Sequence, residues 1–140
     1  MHWVRSEMFS IETGMWCEAP SLRKPRQLHS STSFGEMIYV FCGVDGSSGR
    51  KNYLTSIEYL SAREHVFGIG CQLWRLIELG KENLTPRCNP LVAPFNDTQI
   101  LIAGGLDQKN EKLRDRILYD IKDSTFKSLP SSGAFEAESN

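Results

Sequence analysis

The chain has 140 residues, of which 40% are hydrophobic and 24% are charged, as in ordinary globular domains. Its formal net charge is −1, and its sixteen basic residues form no block, which argues against nucleic-acid binding. The longest apolar run, 37–44, is far shorter than the ~20 residues that span a bilayer, and no apolar segment typical of a secretory signal opens the sequence. We therefore predict a cytoplasmic protein without membrane or nucleic-acid partners.

Short apolar runs bounded by turn residues follow one another along the chain and predict β-strands throughout. In chain order, strands are predicted over 5–10 and 14–18, then 28–34, 37–43, 54–60 and 72–78, then 90–95, 99–105, 115–120 and 125–129. Gly35-Glu36 and Asn96-Asp97 predict tight turns between successive strands. No convincing amphipathic helix is found, and the small, polar and acidic tail 131–140 is expected to be disordered.

Pairs of aromatic residues mark an internal repeat. Seven positions separate Phe9 from Trp16 and Tyr119 from Phe126, whereas fifteen separate Tyr59 from Trp74. An eight-residue insertion near 61–72 explains the difference, and loop closure makes such an insertion inexpensive. We expect these large aromatic side chains to pack in the core.

Two further landmarks recur between the aromatic pairs. Pro25-Arg26 matches Pro86-Arg87 at an offset of 61 residues, and the apolar run 37–43 matches 99–105 at an offset of 62. Both runs end in glycine, as expected where backbones approach closely or φ turns positive.

Together these residues resemble the kelch repeat, in which an arginine, an apolar strand ending in a glycine pair, Tyr-Asp and Trp follow in order. The matching residues are Arg26, Gly43, Tyr59 and Trp74 in one copy, and Arg87, Gly104-Gly105, Tyr119-Asp120 and Phe126 in the next. Cys42, Leu60 and Phe126 depart from the pattern. The resemblance implies an all-β fold of four-stranded antiparallel blades packed around an axis, that is, a β-propeller.

The resemblance also divides the chain. It implies the end of a preceding blade at 1–18, a blade at 19–78 with its insertion near 61–72, a second blade at 79–130 and the tail 131–140. Because a propeller closes with typically 4–8 blades, about two and a half repeats imply an incomplete or open propeller. Three interpretations stay open: part of a longer propeller, a ring completed by association with other chains, or a non-functional fragment.

Kelch propellers mostly recognise partner proteins, so the resemblance implies a non-catalytic protein-interaction module that uses its inter-strand loops. The predicted contacts are Arg50 and Lys51 in a glycine-rich loop, helped by Arg26 and Arg87. Such groups favour an acidic peptide as the partner. The competing interpretation of the two Pro-Arg arginines is an ion pair or carbonyl contact that ties a loop.

The alternative function is enzymatic, because some kelch propellers form oxidase or sugar-isomerase sites. A copper oxidase needs converging histidine and tyrosine ligands, and His2, His29 and His65 are widely spaced. No nucleophile elbow, phosphate loop or H-E-x-x-H motif occurs. The four cysteines lack zinc-ribbon spacing, and we expect free thiols. We predict no enzyme activity, no cofactor and no metal.

Overall fold

The computed structural model describes residues 4–62, 73–80 and 83–130. The described strands pair in antiparallel sheets that do not close on themselves, which confirms the prediction of an all-β fold. The predicted tail 131–140 and nearly all of the predicted insertion near 61–72 lie outside the described residues.

Three sheets follow one another along the chain. The first sheet pairs β1 (Ser6–Ser10) with β2 (Met15–Ala19). The second sheet has the order β3-β4-β7-β8, formed by β3 (Ser30–Phe34), β4 (Met37–Phe41), β7 (Ile57–Ser61) and β8 (Arg75–Ile77). The third sheet has the order β9-β10-β11-β12, formed by β9 (Leu91–Pro94), β10 (Gln99–Ala103), β11 (Arg116–Asp120) and β12 (Thr125–Ser128).

Each of the ten strands predicted from the sequence overlaps one of these strands. A further hairpin, β5 (Val44–Asp45) and β6 (Asn52–Tyr53), lies within the connection from β4 to β7. The sequence did not predict it, because strands of two residues are too short to show an apolar period.

The second and third sheets correspond residue by residue, but not in the alignment that the tyrosines suggested. Ile38 lies opposite Leu60, and Ile100 lies opposite Tyr119. Because Ile38 and Ile100 are equivalent in the repeat, Leu60 is the equivalent of Tyr119. The match of Tyr59 with Tyr119 was therefore wrong by one position, and adjacent strand residues point to opposite faces of a sheet.

The main core lies between the second and third sheets. Phe41 and Ile57 pack there against Ile100 and Tyr119, and all four side chains are buried. The rings of Phe41 and Tyr119 meet edge to face with centroids 6.0 Å apart, a favoured aromatic geometry. On its other face, the second sheet carries a smaller buried cluster of Val40, Leu60 and Trp74.

The recurring aromatic pair is buried or partly buried in two sheets and exposed in the first. Trp74 is 5% exposed, and Phe126 packs against the main core. Their equivalent Trp16 is 67% exposed and lies against Phe9 in a tilted arrangement, with ring centroids 5.2 Å apart. The prediction of a core position for Trp16 was wrong, because no described sheet covers that face of the first sheet.

Candidate functional site

Arg26 lies at the centre of a buried clamp in the second sheet. Its Nη1 donates to the carbonyl oxygens of Cys42 at 2.8 Å and Ser56 at 3.2 Å. Its Nη2 donates to Ser56 Oγ at 3.1 Å and to Glu58 Oε2 at 2.7 Å. The side chains of Arg26 and Glu58 are both fully buried, so each charge depends on the other for compensation.

The Glu58 carboxylate also ties down the chain before β3. The backbone N–H groups of Arg23 and Lys24 donate to its two oxygens. Charge-assisted bonds of this kind are stronger than neutral ones. Glu58 therefore joins β7 to the segment that carries Arg26.

Arg87 forms the equivalent clamp in the third sheet. Its Nη1 donates to the carbonyl oxygen of Gly104 at 2.9 Å, and its Nε donates to that of Thr85 at 3.0 Å. Two further bonds, 2.6 and 2.7 Å long, reach both carboxylate oxygens of Asp115. Asp115 occupies the position that Ser56 has in the second sheet, so the two clamps take their carboxylates from different positions.

The two clamps correct part of the predicted contact surface. Arg26 is 2% exposed and Arg87 is 0% exposed, so neither side chain belongs to an exposed contact surface. Both arginines form the ion pairs and carbonyl contacts that were the competing interpretation. The sequence analysis predicted neither carboxylate partner, Glu58 or Asp115, because nothing local marks a carboxylate that pairs with an arginine about thirty residues earlier.

A pair of left-handed residues follows each clamp. Cys42 and Gly43 have φ of 61° and 97°, and Gly104 and Gly105 have φ of 66° and 95°. Cys42 thus adopts a conformation that glycine takes at lower cost. In both sheets, this bend leads the backbone into a loop at the same end of the strand, after β4 in the second sheet and after β10 in the third.

The first basic loop, residues 46–51, is presented by the β5–β6 hairpin. The N–H of Gly49 donates to the carbonyl of Gly46 at 3.1 Å, and that of Ser47 donates to Asp45 Oδ1 at 2.8 Å. Hydrogen bonds from the side chain and the backbone of Ser47 hold the pKa of Asp45 below its ordinary value. Arg50 and Lys51 are exposed on this loop, so both stay available as predicted contacts.

The second basic loop, residues 107–114, occupies the equivalent place after β10. Asp107 Oδ1 accepts from the N–H groups of Lys109 and Glu111, each at 2.9 Å. Burial raises the pKa of Tyr53 on β6, and the nearby Cys88 and Asp107 raise it further. Together the loops expose Arg50, Lys51, Lys109, Lys112 and Arg114.

The described residues form no cluster of potential metal ligands. Over 4–62, 73–80 and 83–130, no three His, Cys, Asp or Glu side chains come close enough together to hold a metal ion. His29 has its pKa lowered by burial and by the Arg26 charge, while His2 and His65, whose wide spacing argued against a copper site, lie outside the described residues. In the same ranges, no helix has the length and apolar character needed to cross a bilayer.

Three of the four cysteines lie in the described part of the chain, and all three are free thiols. Cys42 and Cys88 are buried, whereas Cys17 is exposed. Burial raises the pKa of Cys42 to about 12. A thiol held in its protonated form is a poor nucleophile, and Cys42 belongs to the buried cluster of the main core.

Comparisons with protein-family models and with curated proteins found no match.

Proposed function

We propose that the second and third sheets are kelch-type β-propeller blades and that the chain is a non-catalytic module that binds a partner protein through its two basic loops. The observation that carries the proposal is the equivalent placement of these loops, each of which follows a buried arginine clamp and a left-handed pair. Variable loops on a rigid frame are a common arrangement for recognition.

The clamps give the loops a fixed base. Arg26 and Arg87 join the segment before each sheet to the carbonyl at the start of the bend. Backbone bonds then close each bend, between Gln27 and Val44 in the second sheet and between Cys88 and Leu106 in the third. A loop held at its base loses less conformational entropy when it binds.

The charge of the loops favours an acidic partner. Arg50 and Lys51 have no ion pair among the described residues. Asp107, in contrast, uses its carboxylate on the backbone of its own loop. The two loops therefore present an excess of positive charge to an acidic peptide, which favours the association rate and the orientation of the bound peptide.

The experiment measures binding of a fluorescent glutamate decapeptide, with a lysine decapeptide for comparison. We expect the double variant Arg50→Glu, Lys51→Glu to weaken glutamate-peptide binding about tenfold. The effect should be larger at low salt, because added salt screens surface charges. The matched control is Arg75→Glu, Lys127→Glu, which reverses two exposed charges on β8 and β12.

Equal weakening by the control variant would show a response to net charge alone and would overturn the assignment of the loop. Unchanged binding in the Arg50 and Lys51 variant would overturn it as well. Circular dichroism on each variant establishes that the β-structure is kept.

A further inference from the structure

In the part of the chain that the structure describes, one edge of the first sheet is unpaired where its two counterparts have a neighbouring strand. Among the described residues, β1 is paired only with β2. Its equivalents are β7 and β11, which pair on both sides, β7 with β4 and β8, and β11 with β10 and β12. The free edge of β1 thus presents backbone groups that can pair with one further strand.

A cavity of about 280 Å³ lies between the first and second sheets. Apolar groups dominate its wall, which includes Met8, Ile38, Val40, Leu60 and Trp74. Ile38 and Val40 are equivalent to Ile100 and Ile102, which are both fully buried in the main core.

The main core shows what fills the corresponding space between the second and third sheets. There β4, the strand beside β7, contributes Tyr39 and Phe41 to the cluster that contains Ile100 and Ile102. Because β1 corresponds to β7, the cavity over Ile38 is the place where side chains of a strand beside β1 would lie. The unpaired edge and the cavity therefore both mark one strand position that no described residue fills.

We propose that the free edge of β1 binds an extended segment of a partner polypeptide as an antiparallel strand, with bulky apolar side chains at alternate positions entering the cavity. Backbone pairing supplies affinity in this mode of recognition, and pockets for alternate side chains supply specificity. The residues that line this cavity include none from the two basic loops.

The register of the second sheet indicates which positions of the partner strand should carry apolar side chains. Tyr39 lies opposite Tyr59, and Ile38 lies opposite Leu60. Since Leu60 corresponds to Phe9, the residue of the partner strand opposite Met8 takes the place of Tyr39 and enters the cavity. The next residue lies opposite Phe9, beside the exposed Phe9–Trp16 pair, where an apolar side chain is also favoured.

The probe is a synthetic peptide with the sequence of residues 36–43, carrying Cys42→Ser and two lysines at each end for solubility. The control peptide carries Tyr39→Lys and Phe41→Lys in addition. Calorimetry with the full chain measures binding, and hydrogen exchange locates it. We expect the probe to bind, the control peptide to bind at least about tenfold more weakly, and amides of Ser6–Ser10 to gain protection.

Two protein variants test the site directly. Met8→Lys places a charge in the cavity and should weaken binding about tenfold or more, while Ile11→Lys, in the exposed turn after β1, should leave it unchanged. A probe methylated on alternate backbone nitrogens should lose binding with no change to the protein.

Absence of probe binding up to a peptide concentration of about 1 mM would overturn the proposal. So would protection confined to other strands, or equal binding of the control peptide. The Arg50→Glu, Lys51→Glu variant should still bind the probe, so a failure of strand binding is distinguishable from a failure of the basic loops.

Discussion

Arg26 and Arg87 perform the same task in neighbouring sheets, yet their charges are compensated from different positions. Each donates to the carbonyl of the first left-handed residue, Arg26 to Cys42 at 2.8 Å and Arg87 to Gly104 at 2.9 Å. The carboxylate that pairs with Arg26 is fully buried, whereas the side chain of Asp115 is 34% exposed. The backbone contact is thus the common element, and the ion pair is adapted to its surroundings.

Loss of Arg26 should therefore cost more than loss of Arg87. Arg26→Ala leaves the Glu58 carboxylate buried without its cation, which we expect to lower the free energy of unfolding by about 3–5 kcal/mol. Arg87→Ala should cost about 1–3 kcal/mol, because water can reach Asp115. Urea unfolding checks both values, with exposed Arg75→Ala as the control at about 0.5 kcal/mol or less. A larger loss for Arg87→Ala would contradict this order.

The buried pair should also behave as a unit. The double variant Arg26→Met, Glu58→Leu removes both charges. Its decrease in the free energy of unfolding should therefore be about 1–3 kcal/mol smaller than the sum of the decreases for the two single variants. It should not reach the wild-type stability, because the Cys42 carbonyl and the Arg23 N–H lose their partners. The control cycle uses the exposed pair of Arg5 and Glu18, 2.8 Å apart, for which we expect a coupling of about 0.5 kcal/mol or less. Equal coupling in the two cycles would contradict the role of burial.

Strand positions could be predicted from the sequence, because short apolar runs and turn residues are local signals. Register could not be predicted in the same way. The recurrence of tyrosine aligned Tyr59 with Tyr119, but pairing with β4 aligns Leu60 instead. A shift of one residue exchanges the two faces of a strand, so the correct alignment depends on the pairing with the neighbouring strand.

The candidate site was predicted only where it lies on the surface. Arg50 and Lys51 are exposed, as a charged glycine-rich loop indicated. The repeated Pro-Arg pair showed that Arg26 and Arg87 are equivalent, but not that both are buried. Burial depended on carboxylates supplied from distant strands, and those carboxylates stand at non-equivalent positions in the two copies. Such compensation leaves no periodic signal in the sequence.

The second residue of each left-handed pair should tolerate only glycine. A Cβ on Gly43 would lie 2.7 Å from the carbonyl oxygen of Gln27, and one on Gly105 would lie 2.6 Å from that of Cys88. Because both obstacles are backbone atoms and both φ are positive, we expect Gly43→Ala and Gly105→Ala each to cost about 2 kcal/mol or more. Thermal unfolding measures the loss. Gly46→Ala is the control, since no atom lies within 4 Å of its Cβ position; a similar loss in the control would contradict the steric argument.

The cysteines should differ sharply in reactivity in the native protein. The thiolate is the reactive form, and burial raises the pKa of Cys42 to about 12, so at pH 8 only about one Cys42 thiol in ten thousand is ionised. We expect iodoacetamide to label exposed Cys17 rapidly and to label Cys42 only as the protein unfolds. Peptide mapping by mass spectrometry with and without urea measures both rates, and Cys17→Ser should abolish the fast labelling assigned to that residue. Rapid labelling of Cys42 without urea would show that the core between the second and third sheets opens readily, contrary to the packing described for Phe41 and Tyr119.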